Sequence, residues 1–260
     1  MSEFKQKPTE NGQPPHSCPF HFNSEQLYAF QKAMIGENTF ITGSAGTGKS
    51  MVVRHLVQAL YKKYGKEKVA LTAPTGSAAR NIGGVTLHNL LRLGKVNQHE
   101  SGIELAKRIL IKDPKGASWQ TPKVLIIDEV SLISGELWTK LDLIARGIRN
   151  NFDAAWGGLQ IIAVGDFFQL RPIASSGAAR PTFAFESKMW KAANFVNCEL
   201  TKIYRQKDSK FVHYLGLLRK GCWNKDVLNY LRELHRPNRS EDSKVTYIMS
   251  RNDDVNRINN

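Results

Sequence analysis

The chain has 260 residues, of which 41% are hydrophobic and 23% are charged. This balance is ordinary for a globular protein and excludes collagen-like or wholly disordered chains, and no apolar run approaches the roughly 18 to 20 residues of a membrane-spanning helix. The 37 Lys and Arg against 23 Asp and Glu give a net charge of +14, typical of nucleic-acid-binding proteins but also of proteins with solvated lysine faces.

The N-terminal segment, residues 1–22, contains four of the ten prolines and no periodic apolar pattern, which predicts a disordered tail. It has no secretory hydrophobic region, and the first arginine of the chain is Arg54, so an Arg-rich mitochondrial presequence is not indicated. Three distant cysteines, Cys18, Cys198 and Cys222, exclude a disulfide scaffold and fit a reducing compartment. We therefore expect a nuclear location in a eukaryote and a cytoplasmic one otherwise.

Regular patterning begins at Asn23 or Ser24, either of which can cap a helix that reaches Gly36. Strands and helices then alternate: a strand over 39–42, a helix over 49–63, strands over 69–72 and 124–128, a helix over 135–150 and a strand over 159–165. This alternation predicts an α/β fold with an open, mostly parallel sheet.

Two segments interrupt this alternation of strands and helices, and they indicate the domain organisation. Residues 94–118 form a charged, partly helical excursion, and residues 208–235 read as two helices divided near Gly221, before a new strand over 245–249. We expect a first domain over 23–206, a helical connection over 207–243 and the start of a second domain over 244–260.

A P-loop pattern lies between the first predicted strand and its helix, the context that this motif requires. Its glycines let backbone N–H groups approach phosphate oxygens, its lysine reaches the β and γ phosphates, and its last serine can ligate Mg²⁺. A glycine-rich turn with an accidental lysine is the alternative. The pattern comprises Gly43, Ser44, Ala45, Gly46, Thr47, Gly48, Lys49 and Ser50.

Polar residues follow three further strands. Asp128 and Glu129 end an apolar strand, where Asp128 can hold the magnesium shell and Glu129 can polarise the attacking water. Gln169, after the strand over 159–165, would emerge beside the γ phosphate as a sensor. Arg205, after the strand-like residues 195–200, could stabilise charge on the transferred phosphoryl group. The alternatives are a solvated strand end for the carboxylates and a surface position for the arginine.

Candidate DNA contacts follow the second strand, at Pro74, Thr75 and Gly76, and recur a turn later at Thr86 and His88. Backbone amides, hydroxyls and a flat ring on one sheet edge suit phosphate and base contacts to a single strand. A helix cap with a core histidine is the alternative for His88.

Together and in this order, these segments resemble the Pif-one (petite integration frequency) group of superfamily-one DNA helicases, relatives of the RecD and Dda motors. The resemblance covers about residues 22–260. It rests on residues 43–50, 73–79, 82–88, 127–131, 165–170, 185–190 and 200–206.

The resemblance implies a RecA-like P-loop NTPase domain in a monomeric motor that uses ATP and Mg²⁺. Such a motor moves 5′ to 3′ on single-stranded DNA and unwinds duplex junctions, in genome or telomere maintenance, DNA repair and recombination. By this similarity Gln26 reads the adenine edge, Tyr204 stacks on the adenine, Arg205 is the arginine finger, and the excursion lies near the strand-separating wedge. The second motor domain is expected to be missing, so the chain alone should have weak ATPase activity and no unwinding.

Three alternatives stay open at this point. Pro74 and Arg171 stand where chromosomal members usually have other residues, which is compatible with a transposon-borne or viral helicase of the same group. A nucleotide-dependent single-strand binder that does not unwind is a second. A GTPase-like switch is disfavoured, because residues 224–227 lack the final Asp of its base-selecting motif.

Overall fold

The computed structural model describes residues 22–96, 99–173, 181–234, 249 and 251–259. The predicted tail over 1–22 and strand over 245–249 therefore fall almost wholly outside the described residues. Phe22 is the exception in the tail: its ring lies 5.7 Å from that of Phe30 and 5.5 Å from that of His55. Phe22 thus belongs to the folded part of the chain. Two compact units are present, Met1–Lys207 and Asp208–Asn260.

The first unit alternates helices and strands, as predicted. Its described elements are α1 (Ser24–Met34), β1 (Thr39–Gly43), α2 (Lys49–Tyr64), β2 (Val69–Ala73), α3 (Gly76–Ile82), β3 (Val85–Thr86), α4 (Leu87–Leu90), α5 (Gly102–Lys112), α6 (Ala117–Gln120), β4 (Val124–Ile127), α7 (Gly135–Arg149), β5 (Gln160–Gly165), α8 (Lys188–Ala192) and β6 (Val196–Leu200).

The sheet has six strands in the order β3-β2-β4-β5-β1-β6, and every paired neighbour runs parallel. The predicted α/β fold with a mostly parallel sheet is confirmed. The position of β4 inside the sheet explains why its sequence is continuously apolar. Leu125 and Ile127 belong to the hydrophobic cluster on one face of the sheet, and Val124 and Ile126 belong to the cluster on the other face. Both faces are covered by helices, so a polar residue on either side would be buried without water.

In the described part of the excursion over 94–118, α5 lies wholly within the range and α6 begins within it and ends at Gln120. Helix α5 begins with a capping box, in which Ser101 and Glu104 bond to each other's backbone N–H groups. Its residues Leu105 and Ile109 are buried in the same cluster as Leu141 of α7, which joins the excursion to the sheet's helical layer.

The second unit contains α9 (Ser209–Arg219), α10 (Lys225–Leu234) and α11 (Asn252–Asn259). The two predicted helices divided near Gly221 are thus present. They pack through Tyr214 and Tyr230, whose rings stack with centroids 4.1 Å apart, and through a 3.2 Å ion pair between Lys210 and Glu233.

Candidate nucleotide and DNA site

All the predicted site segments lie at one edge of the sheet, because parallel strands end there together. Along that edge the order is Tyr204 and Arg205 after β6, the P-loop after β1, Gln169 after β5, Asp128 and Glu129 after β4, Pro74 to Gly76 after β2, and Thr86 and His88 at β3. The predicted nucleotide residues thus follow four adjacent strands, and the predicted DNA residues follow the remaining two. In open α/β sheets this edge is where ligands bind.

The P-loop connects β1 directly to α2. Gly43 has φ +145, and a Cβ there would lie 2.3 Å from the Leu200 carbonyl oxygen, so only glycine fits beside β6. Lys49 folds back over the loop, where its ammonium donates to the carbonyl oxygens of Gly43 at 2.7 Å and Ser44 at 3.1 Å. This ammonium therefore lies within the turn that would surround a phosphate.

The other P-loop residues have distinct environments. Thr47 is buried, and its hydroxyl donates to the Ser44 carbonyl at 2.9 Å, which fixes the base of the loop. Gly48 has φ +91 and caps α2 in the left-handed region. Ala45 and Ser50 are exposed, and Ser50 lies in the first turn of α2. Backbone N–H groups in the first turn of a helix have no partner within the helix, so those of α2 could donate to an anion.

Gln26 lies at the P-loop although it comes from α1. Its side chain is 1% exposed; the amide oxygen accepts from the Asn23 N–H at 3.2 Å, and the amide nitrogen donates to the Thr47 carbonyl at 3.1 Å. The same residue therefore caps α1 and supports the P-loop.

The segment after β6 lies directly against the P-loop. The Tyr204 N–H donates to the Gly46 carbonyl at 2.8 Å. A Cβ on Gly46 would lie 2.7 Å from Arg205 Cβ and 2.9 Å from the Gln206 side-chain oxygen, so Gly46 is needed for this approach. Arg205 is exposed, and its Cβ lies next to the P-loop that would hold the phosphates.

The carboxylate pair combines burial with backbone strain. Asp128 is 8% exposed, and burial together with the Glu129 charge raises its pKa to about 6, although Lys49 acts in the opposite direction. Glu129 has φ +54, unusual for a residue with a side chain, and its N–H donates to Asp128 Oδ1 at 3.0 Å. Strained backbone of this kind is concentrated at functional sites.

The donors for Mg²⁺ fit a hard cation. The Ser50 hydroxyl and the Asp128 carboxylate are oxygen ligands of the type that Mg²⁺ prefers, with the remaining positions filled by water and phosphate oxygens. Burial, and after it the Glu129 charge, raises the pKa of Asp128, and a bound divalent cation would favour the ionised form of this carboxylate.

Gln169 is exposed, and its amide nitrogen donates to Asp166 Oδ2 at 3.2 Å. Asp166 is 1% exposed, and its other oxygen accepts from the Phe168 N–H at 3.1 Å. Asp166 therefore fixes the turn that carries Gln169. Sequence reasoning assigned Asp166 no role, although its spacing of three residues before Gln169 was an available signal.

The predicted DNA residues occupy the carboxyl ends of β2 and β3, which pair with Ala73 opposite Thr86. Thr75 caps α3 and Thr86 caps α4, each through its hydroxyl, and Gly76 is the first residue of α3. His88 is exposed, so it is not a core histidine, and partial desolvation lowers its pKa.

Comparison with known proteins identifies the family. The family model for PIF1-like helicases matches residues 21–218. The chain belongs to the PIF1-like helicase family. Among relatives, it is 44% identical over 200 residues to the ATP-dependent DNA helicase RRM3 of Saccharomyces cerevisiae, and 34% identical over 236 residues to human ATP-dependent DNA helicase PIF1. These alignments cover 76% and 90% of this chain, but 27% and 35% of the relatives.

Solved structures of the family have the same fold. The crystal structure of Pif1 helicase from Candida albicans superposes with a TM-score of 0.76 at 38% identity, covering 87% of this chain and 50% of that one. Bacteroides Pif1 bound to single-stranded DNA gives 0.69 at 27% identity, with coverage of 91% and 55%. The chain thus spans about half the length of these solved family members.

Proposed function

We propose that this chain provides the ATP-hydrolysing portion of a DNA helicase of the PIF1-like family, which couples ATP hydrolysis to 5′-to-3′ movement on single-stranded DNA. The observation that carries the proposal is the order of segments along the sheet edge, where the P-loop, Gln169 and the Asp128–Glu129 pair follow three adjacent strands. The candidate DNA residues follow the next two strands, so the proposed hydrolysis site and the proposed DNA contacts lie at the same edge of one sheet.

In this proposal Lys49 and the P-loop N–H groups bind the β and γ phosphates, and Ser50 and Asp128 hold Mg²⁺. The ion would neutralise phosphate charge when bound. Glu129 accepts the proton of the attacking water, and Arg205 stabilises charge on the γ phosphoryl group. Gln169 senses the γ phosphate, while Gln26 and Tyr204 contact the adenine.

The proposed partners are single-stranded DNA and duplex junctions, contacted at Pro74, Thr75, Gly76, Thr86 and His88, with the excursion over 94–118 near the point of strand separation. Relatives support this choice, since Bacteroides Pif1 has been solved bound to single-stranded DNA and another Pif1 structure concerns unwinding at forked double-stranded DNA. The net charge of +14 favours attraction to phosphate. In the described residues, no helix is long and apolar enough to cross a membrane.

For the cellular role we propose a monomeric protein that acts in genome or telomere maintenance, DNA repair and recombination, located in the nucleus of a eukaryotic cell and in the cytoplasm otherwise. The support is the similarity to yeast and human helicases. We also propose that residues 23–206 form the first motor domain and residues 207–243 a helical connection.

The test is ATP turnover by the full-length protein with and without single-stranded DNA. We expect DNA to stimulate turnover, Lys49→Ala to abolish it, and Glu129→Gln to lower it by roughly a hundredfold while ATP still binds. The matched control is Lys66→Ala, which removes an exposed lysine just beyond the end of α2 that lies opposite the P-loop end of that helix. Nucleotide binding without turnover would indicate a passive single-strand binder, and turnover that ignores DNA would refute a motor.

A further inference from the structure

The first turn of α1 contacts two parts of the nucleotide site at once. On one side, Gln26 donates to the Thr47 carbonyl of the P-loop. On the other, Glu25 accepts two hydrogen bonds from Thr201, one from its N–H at 2.8 Å and one from its hydroxyl at 2.5 Å. We call this pair of bonds the Glu25 clamp.

The Glu25 clamp anchors the segment that carries Arg205. Thr201 directly follows β6, and three residues later Tyr204 is held twice: its N–H donates to the Gly46 carbonyl at 2.8 Å, and its hydroxyl oxygen accepts from the Asn23 amide at 3.1 Å. Arg205 is the next residue. The stretch before the arginine is therefore fixed at both ends, by α1 and by the P-loop.

An acidic residue in a helix's first turn commonly serves the helix dipole alone. Here Asn23 and Gln26 already form the capping box of α1, so capping does not require Glu25. Both Glu25 oxygens instead receive hydrogen bonds from Thr201, and these bonds lower the pKa of the carboxyl group. Both bonds lie at an exposed site, where the ionised carboxylate accepts them at neutral pH.

We propose that Glu25 is a positioning residue for phosphoryl transfer: by holding Thr201, it keeps Tyr204 and Arg205 against the P-loop. This inference rests on the proposed function, in which Arg205 acts on the γ phosphoryl group. Small displacements of such a group are costly, since a misplacement of about 1 Å can cost about a hundredfold in rate. Because Gln26 is the next residue, the same helical turn contacts both the P-loop and the segment that follows β6.

The first measurement is hydrogen–deuterium exchange of the Thr201 and Tyr204 amides in the full-length protein without nucleotide. Glu25→Ala should accelerate their exchange by about tenfold or more. The Thr201 amide loses its hydrogen bond to Glu25, and the Tyr204 amide loses the anchored Thr201 that keeps it near the Gly46 carbonyl. Glu199→Ala removes an exposed carboxylate two residues before Thr201 and should leave this exchange unchanged. Glu25→Gln, which keeps one acceptor oxygen, should give an intermediate rate and guards against misfolding of the alanine variant.

The second measurement is a double-mutant cycle on the kcat for ATP. Glu25→Ala should lower kcat by about tenfold and raise KM because Tyr204 is also released, and its effect on kcat should disappear when Arg205→Ala is already present. A merely structural role would instead make the two losses multiply.

Three results would overturn the proposal. If Glu25→Ala leaves the exchange rates of the Thr201 and Tyr204 amides unchanged while Arg205→Ala still lowers kcat, Glu25 is not a positioning residue but the assignment of Arg205 stands. A normal kcat in Arg205→Ala would overturn both this inference and the assignment of Arg205 in the proposed function. Multiplying losses in the cycle, even with faster exchange, would also show that Glu25 does not act through Arg205.

Discussion

Asp128 is a buried carboxylate whose ionised form destabilises the folded protein. The Asp128→Asn variant therefore tests how much this charge lowers the free energy of unfolding. Burial and the neighbouring Glu129 raise its pKa from 3.8 to about 6. That difference corresponds to about 3 kcal/mol by which the folded protein disfavours the charged carboxylate. Asparagine has nearly the same shape and keeps an oxygen to accept from the Glu129 N–H. We therefore expect the variant to be more stable than wild type by up to about 3 kcal/mol at pH 7.5 without Mg²⁺.

The pH dependence follows from the direction of the pKa change. Because the folded state binds the Asp128 proton more tightly than the unfolded state, this residue favours folding fully below pH 3.8 and loses that contribution as pH rises through about 6. The asparagine variant has no such proton. Its advantage over wild type should therefore be largest at pH 7.5 and fall to about half at pH 5.

The assay is urea unfolding monitored by tryptophan fluorescence, in a chelating buffer without nucleotide. Trp119, Trp138 and Trp156 are fully buried in the first unit, so their emission reports the unfolding of the unit that contains Asp128. Asp153→Asn, at an exposed carboxylate, is the control. The reasoning would be refuted by a variant no more stable than wild type at pH 7.5, or by an advantage that does not shrink toward pH 5.

Four further predictions use other parts of the molecule. Gly43→Ala should lower the free energy of unfolding by about 1–3 kcal/mol and weaken ATP binding, because its Cβ would overlap the Leu200 carbonyl; urea unfolding and nucleotide titration measure both effects. Cys198 should resist maleimide under native conditions, since burial raises its pKa to about 11, whereas the exposed Cys222 should react; mass spectrometry of labelled peptides tells them apart. His88→Ala should weaken single-stranded DNA binding by about 1–3 kcal/mol if the ring stacks on a base, and an unchanged affinity at low salt would exclude this contact. Wild-type affinity should itself fall with salt at a log–log slope of about 0.7 per phosphate neutralised.

The sequence by itself determined the elements that depend on local patterns. The strand at β1, the P-loop and α2 were predicted to within about two residues, because glycine conformation, helix periodicity and continuous apolar runs are properties of neighbouring residues. The identities of Lys49, Asp128 and Glu129 as candidate site residues came from the same local context, a strand followed by a polar turn. The family resemblance, drawn from several such motifs in register, is confirmed by the family match.

Only the tertiary structure decided which segments meet. The position of β5 between β1 and β4, which sets Gln169 between the P-loop and the carboxylates, depends on how helices cover both faces of the sheet. The bonds between Glu25 and Thr201 join residues 176 positions apart, and the packing of Phe22 on His55 extends the folded unit into the predicted tail. No local pattern encodes these contacts, because their free energy comes from burial and hydrogen bonding between elements that meet only after the chain has folded.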